Sequence, residues 1–132
     1  MDRNYDLYFD GDRIMITPDI SDLIKEIHPT AQYIYEESDD DTEETFDERL
    51  RWHSPELTKP TYAELIAVRP QATVSAQMRR LRKERDERIA ETDWWASSDR
   101  TMTAEQTAYR QALRDLPANT ADPANPIWPT KP

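Results

Sequence analysis

The sequence predicts a mixed α+β chain, elongated rather than globular. A small N-terminal β-hairpin/helix unit leads into an acidic linker, and a C-terminal helical hairpin ends in an extended Pro-rich tail. Three observations predict this. Apolar residues alternate around the only Gly of the chain and then switch to helical spacing. Nine of the 13 residues in 36–48 are Asp or Glu. Ten Pro punctuate the chain, five of them within 117–132. The expected divisions are a ββα(β) unit at 1–35, the acidic linker at 36–60 and a helical domain at 61–132.

The first element is a hairpin. Asp10-Gly11 suits a two-residue type I′ loop, which needs positive φ at both central positions. Such a loop pairs Leu7 with Ile14 and Tyr5 with Ile16, all on one face, and the alternation agrees with that register. A lone hairpin is marginal in water, so it needs a further strand, a helix or a partner. A helix follows, with Thr17 as its cap and Pro18 at its first position. Ile20, Leu23, Ile24 and Ile27 hold the i, i+3, i+4, i+7 spacing of one buried face, and Pro29 stops it. Residues 31–35 add a short strand. The run 36–48 repels itself and is expected to stay extended and solvated.

Past the acidic run the chain turns helical. Thr61 and Glu64 form a capping-box pair opening a short helix to about Val68. Pro70 is expected to break it. A longer helix is predicted over 73–91, with Val74, Met78, Leu81 and Ile89 as a thin apolar stripe and Arg85 where the next apolar residue belongs. Glu84 and Arg88 stand at favourable i, i+4 spacing. Residues 92–102 read as a loop carrying Trp94 and Trp95. Thr103 with Gln106 caps a last helix whose face is Tyr109, Ala112, Leu113 and Leu116, ended by Pro117. The two helices suggest an αα-hairpin. The tail beyond should be extended.

Composition removes several classes of function. The 132 residues carry a net charge of −10. Residues 1–60 hold 17 acids and 6 bases, whereas 61–132 hold 10 acids and 11 bases. Leu, Ile, Val and Phe number 21 of 132, below the roughly 20% under which a charged chain leans towards disorder. The chain is therefore expected to order largely against something else. With no Cys there is no disulfide, thiolate metal site or thiol nucleophile. The longest apolar run is the four residues from Leu65, far short of the roughly 20 that a membrane span needs. The N-terminal residues show no signal-peptide pattern, and one Gly excludes Gly-rich phosphate loops.

Four separated elements in the second half carry a resemblance. Arg79-Arg80-Leu81-Arg82-Lys83-Glu84-Arg85-Asp86-Glu87-Arg88-Ile89 leads into Thr92-Asp93-Trp94-Trp95. Tyr109-Arg110-Gln111-Ala112-Leu113-Arg114-Asp115-Leu116-Pro117 follows, and Pro126-Ile127-Trp128-Pro129 closes the chain. Over about residues 75–132 this resembles the tail assembly chaperone domain of tailed bacteriophages. Trp95 doubles a position that is usually polar there, and 118–125 is longer and richer in Pro. The resemblance implies non-enzymatic help in building tails or tail fibres, with a tail or tail-fibre protein as partner. It implies a place in the host cytoplasm during assembly.

Aromatic anchors beside Arg dominate protein interfaces. The expected contact residues are Trp94, Trp95, Tyr109, Arg110 and Trp128, with Arg82 and Arg85 from the basic helix. Within that set Trp94 and Trp128 are expected chiefly as core, and Trp95 as the anchor that faces the partner. The bases of 79–88 are interleaved with Glu84, Asp86 and Glu87, so they read as a solvated face. Phosphate binding wants an uncompensated positive field, which argues against nucleic acid. A calcium loop starting at Asp39 would put Glu44 where Gly is required and Leu50 where Glu is required, so an EF-hand is excluded. His28 and His53 lie apart with no catalytic motif, and no cofactor or metal is expected. The rival readings are a permanent minor structural component of the virion tail or fibre attachment region, with a homo-oligomer within the virion assembly as a further option, and an acidic mimic of nucleic acid.

Overall fold

A computed structural model of the chain describes residues 6–10, 13–38 and 41–132, with side-chain burial described from Ile16 onward. The elements are β1 (Asp6–Asp10), β2 (Arg13–Thr17), α1 (Ile20–Ile27), β3 (Tyr33–Tyr35), α2 (Glu43–Arg49), β4 (Leu50–Trp52), α3 (Tyr62–Ala90), a 3-10 turn (Asp93–Ala96) and α4 (Ala104–Asn119). The described residues are mixed α+β. β1 neighbours β2 in one two-stranded sheet, and β3 neighbours β4 in another. The chain divides into two compact units, whose bodies are 16–73 and 74–132.

The strands of the expected hairpin are present, but β1 reaches Asp10, a residue that the two-residue turn assigns to its loop. Gly11 lies outside the described residues, and so do the side chains of Tyr5, Leu7 and Ile14. α1 buries Ile20, Leu23 and Ile24 as its spacing requires. Its cap is Asp19 rather than Thr17: the Asp22 N–H donates to Asp19 Oδ1 at 2.7 Å. A carboxylate there also suits the positive end of the helix dipole. The His28 N–H closes the helix on the Ile24 carbonyl, and Pro29 follows.

The acidic segment is not an extended linker over 43–52. It folds as α2 and β4. Glu43 and Glu44 sit in the first turn of α2 and Arg49 in its last, so the macrodipole favours the charge order. Phe46 is the one apolar side chain of this helix and is 2% exposed. Its ring lies 6.1 Å from Tyr35 and 5.8 Å from Tyr62. Asp41 ties the segment down: it accepts from the Tyr35 hydroxyl at 2.6 Å and from Arg49 at 3.1 Å. Burial, then that hydrogen bond, pushes the Tyr35 hydroxyl well above its ordinary pKa. Like-charge repulsion is thus overcome by one buried ring and a few paired acids, Asp47–Lys59 among them at 2.7 Å.

β4 pairs antiparallel with β3, Tyr33 against Trp52 and Tyr35 against Leu50. The short strand expected at 31–35 is therefore the partner of a strand from the acidic segment. Trp52 stacks on Tyr33 at 6.3 Å and donates its indole N–H to the Ser54 and Leu57 carbonyls. The core of this unit is Ile20, Leu23, Ile24, Phe46, Leu50, Leu65 and Ala72.

α3 is one helix of 29 residues with Pro70 inside it, where a break was expected. An interior Pro removes one N–H donor and costs about 3 kcal/mol. Leu65 and Ala72 on either side are buried in the first unit's core, and that packing outweighs the local penalty. The Thr61–Glu64 capping box is present, with the Thr61 N–H donating to Glu64 Oε2 at 2.8 Å. The expected stripe is half right: Leu81 is buried, whereas Val74 is 46% exposed. α4 starts from the expected Thr103–Gln106 box. It runs past Pro117 to Asn119, one turn beyond the expected stop.

Candidate functional site: an aromatic and cationic cluster

Short-range chemistry at the end of α3 builds this site. Thr92 is fully buried and donates its hydroxyl to the Ile89 carbonyl at 2.9 Å. The chain then makes the 3-10 turn, which sends its two adjacent Trp in opposite directions. Trp95 is 5% exposed and Trp94 is 55% exposed. This reverses the orientation expected from sequence, in which Trp94 was core and Trp95 faced a partner. The tight turn fixes the outcome, because only one of two neighbouring side chains can point at α4.

Trp95, Tyr109 and Leu113 form the buried cluster of the second unit, with Ile89, Met102 and Trp128 packed against it. The Trp95 ring is 6.0 Å from Tyr109 and meets Trp94 edge-on at 6.1 Å. Offset and edge-to-face pairs of this kind add about 0.5–1.5 kcal/mol beyond area burial. Trp128 reaches the cluster from the tail and is half-buried, so its expected packing role is met.

Three indoles of this unit, two of them accessible and one buried, each have a cation over the ring. The Arg100 guanidinium lies 4.5 Å from the Trp94 ring centroid. Arg88 lies 4.2 Å from that of Trp128, and Lys131 lies 5.8 Å from that of Trp95. Arg88 is itself held by Glu84, donating from Nη2 at 2.7 Å. That hydrogen bond raises the Arg88 pKa above its ordinary value. Only the Glu84–Arg88 pair was legible from spacing. Nothing in the sequence marks Arg88, Arg100 and Lys131 as partners of particular rings.

Arg110 is not an exposed contact residue. It is 6% exposed and donates to the Ile89 carbonyl at 3.0 Å, to Thr92 Oγ1 at 2.7 Å and to Asp93 Oδ1 at 2.9 Å. It adds a charged donor to the Ile89 carbonyl at the C-terminus of α3, where the helix dipole favours a cation. Tyr109 is likewise buried, in the cluster described above. Arg82 and Arg85 are not brought to the cluster. Arg82 lies exposed along an open depression of about 570 Å³, which Arg79, Lys83, Asp86, Glu87 and Ala90 also line. Arg85 is half-buried, with Nε 2.6 Å from Asp86 Oδ1.

Of the seven expected contact residues, Trp94 and Arg82 therefore offer open surface, and Trp128 and Arg85 a partial one. Among the described residues no group of three or more His, Asp or Glu could hold a metal ion. Among them also, no helix is long and apolar enough to cross a membrane.

No curated protein and no solved structure matches the chain. Residues 78–132 match the family model described as phage tail assembly chaperone protein. The matched segment takes in the whole aromatic cluster, all three ring-bound cations and the Arg110 staple. Over those residues, less than half of the chain, the sequence is similar to that family.

Proposed function

We propose that the chain is a non-enzymatic phage tail-assembly protein that binds a tail or tail-fibre protein through the face around Trp94. The observation that carries this reading is the exposed Trp94–Arg100 stack inside the matched segment. Trp and Arg are the side chains that most often dominate binding energy at interfaces. An indole left 55% exposed keeps much of its apolar area available for a partner. The neighbouring Trp95 is locked from behind, so the anchor is already held in place and loses little freedom on binding.

Such binding masks apolar surface or strand edges of the partner until its oligomer closes. The work done is recognition and release, with no bond made or broken. Co-expression of the tagged chain with each tail gene in turn, followed by pull-down, tests the reading. One tail or tail-fibre protein should co-purify with wild type and be lost with Trp94→Ala. Mass spectrometry of purified particles then separates a chaperone, which is absent, from a permanent component present in fixed copy number.

A further inference from the structure

From Arg79 to Ala90 the exposed residues of α3 are Arg79, Arg82, Lys83, Asp86, Glu87 and Ala90, and the same six line the open depression of about 570 Å³. Steps of three and four place them on one face of the helix. That face is mirrored in sequence about the bond between Glu84 and Arg85. Counting outward from it, Lys83 is matched by Asp86, Arg82 by Glu87 and Arg79 by Ala90. Bases therefore fill the N-terminal half of the face, and acids with one small residue fill the C-terminal half.

Among the described residues the side chains of Arg82 and Glu87 have no hydrogen bond or ion pair. Asp86 meets Arg85 of its own helix at 2.6 Å. An ammonium has three N–H to give and a carboxylate two oxygens that accept, so Lys83 and Asp86 can each take a further partner and keep their neighbours. We infer that this face docks on the same face of a second copy, the two α3 helices running antiparallel about a two-fold axis level with the 84–85 peptide. Arg82 then faces Glu87 and Lys83 faces Asp86 across the axis, each pair made twice. Arg79 comes to Ala90, whose single methyl leaves room for the Arg stem. Helices running parallel in register would set each charge against its own copy, which is strongly unfavourable. A two-fold contact uses one self-complementary patch twice, and this face is such a patch. Exposed ion pairs are individually weak, so the dimer forms only at raised concentration. The inference stands apart from the tail-assembly reading, since it needs only this chain.

Sedimentation velocity of the full chain at rising concentration tests it, with the charge-reversed variants R82E and E87R. Wild type should shift from monomer towards dimer. Either variant alone sets like charges together and should raise the dissociation constant at least about tenfold. An equimolar mixture of the two restores opposite charges at both places across the axis and should dimerise as wild type does, and so should the double variant R82E/E87R. A wild type that stays monomeric up to about 1 mM overturns the inference. Single variants that dimerise as well as wild type, or a mixture no better than its components, overturn it too. So does a variant that loses its helical circular dichroism, because the face is then needed within the chain. Capture of a tail protein that depends on Arg82, with wild type monomeric throughout, gives the face to that partner and likewise overturns it.

Discussion

Arg110 Nη1 lies 2.7 Å from Thr92 Oγ1, joining the middle of α4 to the buried residue just beyond α3. The same guanidinium reaches the Ile89 carbonyl and Asp93. It does the work of a helix cap from a distance of 18 positions in sequence. Arg110→Ala should therefore destabilise the second unit by about 2–3 kcal/mol, since hydrogen bonds to a charged group are lost and buried partners are left open. Asp93 is 65% exposed on its side chain, and Asp93→Asn should cost under about 1 kcal/mol. Urea denaturation of both variants checks the contrast. Equal losses would show that the ion pair, not the capping, matters.

The adjacent Trp should separate binding from stability. Trp95→Ala removes a ring from the buried cluster and should cost about 3–5 kcal/mol. Trp94→Ala should leave the unfolding midpoint nearly unchanged. Thermal melts followed by far-ultraviolet circular dichroism distinguish them. A larger loss for Trp94 would contradict the inward and outward assignment.

Phe46 is the ring that makes structure out of the acidic segment. Phe46→Ala should cost about 3–5 kcal/mol and release α2. Glu44→Gln, on the exposed side of the same helix, should change stability by no more than about 0.5 kcal/mol. Amide exchange across α2 and β4 is the measurement. Unchanged protection in Phe46→Ala would show that this segment is not held by that ring.

Glu64 gives a pH dependence of known sign. Hydrogen bonds from the Thr61 backbone and hydroxyl hold its carboxyl below the ordinary value of 4.5. A depressed carboxylate stabilises the fold above its unfolded pKa, and the contribution is lost as pH falls through the folded one. The stability difference between wild type and Glu64→Gln should thus be full at pH 7 and fade below about pH 4. Denaturation curves at a series of pH values check it. A difference that grows on acidification would reverse the sign and refute the cap.

Local chemistry was the legible part of this molecule. The Thr61–Glu64 and Thr103–Gln106 boxes and the face of α1 were readable because each involves residues within two turns. What was not legible depends on distant partners. β4 is three residues long and exists only through pairing with β3, across the acidic run. Pro70 reads as a helix end unless the burial of Leu65 and Ala72 is known. At the site, the residue types were visible but their directions were not. Trp94 and Trp95 differ by a turn geometry that no spacing rule encodes, and Arg110 looks like a surface residue until Thr92 is found behind α4.

Binding to a tail protein through Trp94 is the central claim, and a titration tests it most directly. The tail or tail-fibre protein captured by co-expression is purified, and its affinity for wild type and Trp94→Ala is measured by calorimetry. The prediction is a loss of at least about 2 kcal/mol, or roughly 30-fold, in the variant, the size expected of a central aromatic anchor. Equal affinity for a variant that retains its helices would contradict it.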